Sequence, residues 1–140
     1  MQVVLDMREN ELQMRQMEMA KILTILNEQE QEKQKILQAQ ARNKDEMDAL
    51  FMQDFLDLSQ MESHRGFDIK LNVDIVNQQR KIDNTKAILE RKKLEVAEAH
   101  RKVEVLKKLK EKQEDQYYKD FLASEVKEID DITSARFRLE

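Results

Sequence analysis

The sequence predicts an all-α fold, an antiparallel two-helix coiled coil (a long α-helical hairpin), and three observations carry that prediction. Charged residues make up 39% of the 140, well above the quarter usual in a compact domain. One glycine and no proline leave a sheet protein without the residues its turns need. Apolar residues recur every seven positions in both halves of the chain. With aromatics at 5% and a mean hydropathy of -0.80, few side chains can fill a three-dimensional core, so apolar area must be buried along a line. Disorder is the rival for so charged a chain, but 25 basic residues nearly balance 29 acidic ones and the apolar pattern is periodic.

The first helix is expected over about residues 2–60. Leu5, Leu12, Met19 and Leu26 lie seven apart; Lys33 and Gln40 interrupt the row and Met47 resumes it, while Ile22, Ile36 and Leu50 supply part of a companion row. The turn is expected at about 61–67, where Ser63, His64 and the single glycine, Gly66, cluster. Asp68 is then placed to cap a second helix over about 68–136. In that helix Ile75, Ile82, Leu89, Val96 and Val103 form a heptad row, and Gln78, Thr85, Lys92, Ala99 and Leu106 a poorer one. Folding about residues 64 and 65 sets Met47 near Ile82, Leu26 near Val103 and Leu12 near Tyr117, with about the last ten residues overhanging.

The side chains argue against catalysis. Without cysteine there is no disulfide, thiolate ligand or thiol nucleophile. Neither His64 nor His100 follows a glutamate by three residues, as di-metal helix bundles require, and phosphate loops need glycines that are missing. No enzyme activity, metal or cofactor is expected. The net charge of -4 and the glutamates interspersed in the basic segment speak against nucleic acid. No apolar run approaches the roughly 18 residues of a membrane span, and the N-terminus reads as neither a secretion signal nor a presequence. A cytosolic, elongated monomer is expected, with membrane contact only through partners. Charge is polarised along the second helix. Residues 90–112 hold nine Lys and Arg against five Glu, a local +4, and residues 114–131 hold seven acids against two Lys, a local -5. Near the turn, Leu50, Phe51, Phe55, Leu58, Phe67, Ile69, Leu71 and Val73 are more apolar bulk than two helices can hide, so some should face outward as partner anchors.

The stretch from Val103 to Phe137, VEVLKKLKEKQEDQYYKDFLASEVKEIDDITSARF, resembles the end of the FliJ family, coiled-coil components of the bacterial flagellar type III export apparatus. Leu109-Lys110-Glu111-Lys112, then Tyr117 or Tyr118, then Glu125, Lys127, Glu128, Asp130 and Ile132 match its pattern, and Val126 replaces a usual polar residue. The injectisome stalk proteins of virulence secretion systems look similar. The resemblance implies a non-catalytic stalk and adaptor that binds the pore of the hexameric export ATPase, contacts the cytosolic part of the membrane export gate and handles export chaperones. It implies that the paired chain termini enter the ring. Ring contact would then fall to Leu109, Lys110, Tyr117, Glu125, Lys127, Asp130 and Ile132, and gate or chaperone contact to Phe51, Phe55, Phe67 and Leu71. Asp48 and Asp74 stand where that second face would be apolar. The alternatives in other classes are a generic coiled-coil scaffold that dimerises along its length and an amphipathic helix that lies on a membrane surface.

Overall fold

A computed structural model describes residues 1–139. The chain is an antiparallel helical hairpin: α1 runs from Gln2 to Phe51 and α2 from Leu58 to Leu139. Two compact units divide it, a terminal one (Met1–Met14 with Ala97–Glu140) and a turn-proximal one (Arg15–Val96).

The connection is residues 52–57, not the expected 61–67. Two short-range bonds, Met52 N to Ala49 O (3.2 Å) and Gln53 N to Leu50 O (3.3 Å), tighten the last turn of α1 and satisfy carbonyls that the helix end would orphan. Asp57 then starts α2, its Oδ1 accepting from the amides of Ser59 (3.0 Å) and Gln60 (3.3 Å). An aspartate that bonds its own backbone two and three residues on offers the chain an alternative to continued helix, and this breaks the run without glycine or proline. Asp57→Ala is expected to cost about 1 kcal/mol, read as a lower urea midpoint with an unchanged slope.

Gly66, expected in the turn, lies inside α2 with an ordinary negative φ. A Cβ built there meets nothing within 4 Å. Gly66→Ala is therefore expected to stabilise the hairpin by about 0.5–1 kcal/mol through the unfolded chain's lost freedom; a lower melting temperature would show that the bare backbone is needed.

In the turn-proximal unit the seam follows the heptads. Leu50, Leu71, Ile82 and Leu89 are buried, and so are Asn43, Gln78 and Thr85. Hydrogen bonds give the register: Asn43 Nδ2 donates to the His64 carbonyl (2.8 Å), Gln40 Nε2 to Asp68 Oδ1 (3.3 Å) and Gln78 Nε2 to the Gln29 carbonyl (2.8 Å). Because the Asn43 amide is oriented by that bond, its Oδ1 faces His64 Nδ1 (2.6 Å), which must carry the proton. This register sets Leu26 opposite Ile82 and Met19 opposite Leu89, correcting the expected pairing of Leu26 with Val103 and Met47 with Ile82. The physical reason lies in the polar groups. The expected register opposes Gln40 to Leu89 and Lys33 to Val96, burying polar groups against apolar ones, whereas the observed one gives Lys33, Gln40, Asn43 and Gln78 hydrogen-bond partners on the other helix. Asp68 is thus a seam residue rather than a cap.

Ion pairs flank the seam where Lys92 Nζ lies 3.2 Å from Glu18 and 3.3 Å from Glu95, and Arg15 is 3.4 Å from both acids. The hydrogen bond from Lys92 holds the Glu18 carboxyl below its ordinary value, and Glu18, then Glu95, raises Lys92. All four side chains are partly open to water, so the cluster guides pairing more than it stabilises it.

In the terminal unit Leu5, Ala99 and Val103 are buried, and Lys110 Nζ donates to Gln2 Oε1 at the first turn of α1. Beyond Lys110, α2 has no α1 beside it. Every residue from 111 to 138 is exposed. The overhang is therefore about 40 Å of single helix at 1.5 Å per residue, far more than the expected ten residues, because the connection sits earlier and shifts the whole register.

Candidate functional site

The overhang is more than a continuation of the seam that has lost its partner. Carried forward, the two seam rows pass through Gln113, Asp120, Lys127 and Ser134, and through Tyr117, Ser124, Asp131 and Arg138. All but the tyrosine are polar, so the α1-facing surface stops being apolar where α1 ends. An apolar stripe resumes elsewhere on the helix. At 100° per residue Tyr118, Phe121, Leu122, Ile129 and Ile132 fall within an arc of about 100°, turned about 140° from the seam direction. All five are exposed.

Such a stripe holds water against about five large side chains, at roughly 25 cal/mol for each Å² a partner would cover. The polar face behind it carries Asp120, Lys127 and Asp131. The arrangement suits an amphipathic helix laid into an apolar groove.

The residues assigned to ring contact from sequence do not share one face. Glu125 and Ile132 lie in the stripe and Tyr117 at its edge, while Lys127 and Asp130 project from the other side. Leu109 and Lys110 lie in the paired part, where Lys110 is engaged with Gln2. Phe121, Leu122 and Ile129, which the resemblance did not assign, complete the stripe, and their spacing from Tyr118 and Ile132 is the sequence signal for it.

Matched over residues 1–140 is the family model described as Flagellar FliJ protein. The chain belongs to the FliJ family. Membership makes it a component of the flagellar protein export apparatus, in a family that is not enzymatic. No curated protein and no solved structure matches it. Among the described residues no helix is long and apolar enough to cross a membrane, and no group of three or more His, Asp or Glu could hold a metal ion.

A second apolar surface surrounds the connection of this FliJ-family chain. Phe55 is 88% exposed, and Phe51 and Phe67 are open to solvent. Leu71, the fourth residue assigned to gate or chaperone contact, is only 5% exposed; it packs in the seam and is not available as an anchor. The phenylalanines also divide between grooves. Phe51 lines one with Met47, Leu58, Met61 and Ile69, whereas Phe67 lines another with Ala39, Arg42 and His64. One flat partner surface cannot cover both; a partner that takes all three must wrap the hairpin.

Proposed function

We propose that this protein is a non-catalytic stalk and adaptor of flagellar export, whose overhang docks in the pore of the hexameric export ATPase while the surface around the connection meets the export gate and export chaperones. The observation that carries this reading is the unpaired, fully exposed overhang with its own apolar stripe. Where the resemblance implies that paired termini enter the ring, this reading has the end of α2 enter alone; it is supported by α1 starting beside Lys110. A single asymmetric helix touches the subunits of a ring unequally, which gives equivalent ATPase subunits a reason to act in turn. Ring contact would be made by Tyr118, Phe121, Leu122, Ile129 and Ile132, with Glu125 and the neighbouring acids steering the helix toward basic groups. Phe51 and Phe55 would serve the gate or a chaperone, with Phe67 on a separate face.

Deleting residues 111–140 tests this directly. The truncated hairpin is expected to keep its melting temperature, since every side chain removed through Arg138 is exposed, and to lose stimulation of the cognate export ATPase. Retained stimulation would move the ring contact elsewhere.

A further inference from the structure

Of the exposed surfaces, one has a pattern that is complementary to its own reverse. On the lateral face of α2 nearest the connection, Leu58, Glu62, Arg65 and Ile69 line up at spacings of four, three and four. Reversed, the order apolar, acid, base, apolar becomes apolar, base, acid, apolar. A second identical helix laid antiparallel would therefore put Leu58 on Ile69 and Glu62 on Arg65, each pairing occurring twice about a two-fold axis between positions 63 and 64.

Four further facts favour such an occupant. Leu58 and Ile69 are both well exposed, and Phe51, Val73 and Val76 extend the apolar surface. The face borders an open groove of about 860 Å³ lined also by Met47, Met61 and Gly66, room for a ridge of side chains from another helix. Gly66, the chain's one glycine, leaves backbone bare at that point, with nothing within 4 Å of where a Cβ would stand. Finally, Glu62 and Arg65 are three apart on one helix and yet make no ion pair with each other or with any other described residue.

We infer that this face binds a second copy of the chain, forming an isologous antiparallel pair through Leu58, Glu62, Arg65 and Ile69. The inference rests on the groove and its charge order alone, not on the stalk reading. Where both hold, pairing covers Phe51, so self-association and gate contact compete for one surface, and the single-copy form is the one that engages the gate.

Sedimentation equilibrium of the full chain over roughly 1 to 100 micromolar should give a mass that rises from 16.8 kDa toward twice that value. Glu62→Arg or Arg65→Glu alone turns both attractive pairs into repulsive ones and should weaken association about tenfold. Equal amounts of the two variants mixed should recover it as a heterodimer, and so should the double exchange E62R/R65E. Both residues are exposed, so helicity should be unaffected in every variant. A mass that stays at one chain throughout, or association indifferent to either charge reversal, would overturn the inference.

Discussion

Replacing Phe121 and Ile129 together by aspartate is expected to raise at least tenfold the concentration of this protein needed to stimulate its export ATPase. Burying one such side chain stabilises a complex by about 1.5–3 kcal/mol, and 1.4 kcal/mol is a factor of ten in affinity. Neither residue packs against α1, so thermal unfolding of the hairpin should be unchanged. The control is on the opposite side of the same helix: Lys127→Ala and Asp130→Ala should each change stimulation by less than about threefold, since exposed charges contribute roughly 0–1 kcal/mol. Titration of ATPase rate against each variant reads the difference. Equal loss on both faces would mean that the overhang acts through its net charge and not through its stripe.

The second large effect lies in the seam. Ile82 is 2% exposed and sits opposite Leu26, one of the few layers of the turn-proximal unit with large apolar groups on both helices. Ile82→Ala should cost about 3 kcal/mol, the middle of the range for truncating a buried aliphatic side chain. A unit of this size should then lose about 15 °C in melting temperature. Leu94→Ala, on a side chain 71% exposed, should move stability by less than about 0.5 kcal/mol. The contrast matters because the polar layers at Asn43, Gln78 and Thr85 bury little apolar area, the first two conferring register through bonds across the seam, so stability is concentrated in a few positions. Calorimetry that placed the two variants together would show that the layers share the load evenly.

Both seam rows of α2 were readable from the heptads alone, including the poorer one, since Gln78, Thr85 and Ala99 are buried in line with Ile82, Leu89 and Val103. The exposure of Phe51 and Phe55 near the connection was readable too. The position of the connection was not. Gly66 is the chain's most conspicuous helix breaker, yet in a helix a glycine costs only about 1 kcal/mol relative to alanine, which tertiary pairing readily outweighs. Asp57 prevails because its cap coincides with the register that matches Asn43 to His64 and Gln40 to Asp68. Moving the connection by ten residues shifts the partner of every α1 residue by about twenty, and this is why the overhang was underestimated.

Composition and seven-residue periodicity by themselves determined that this protein is a two-helix coiled coil. They did so because both are properties of one helix face, which is local. Which residues of that face meet, where α1 stops beside α2, and therefore which apolar side chains are left in water were decided only by the pairing of the two helices. A heptad repeat admits many registers of similar apolar content. The choice among them falls to the polar groups in the seam, above all Asn43 and Gln78, which bond to the other helix.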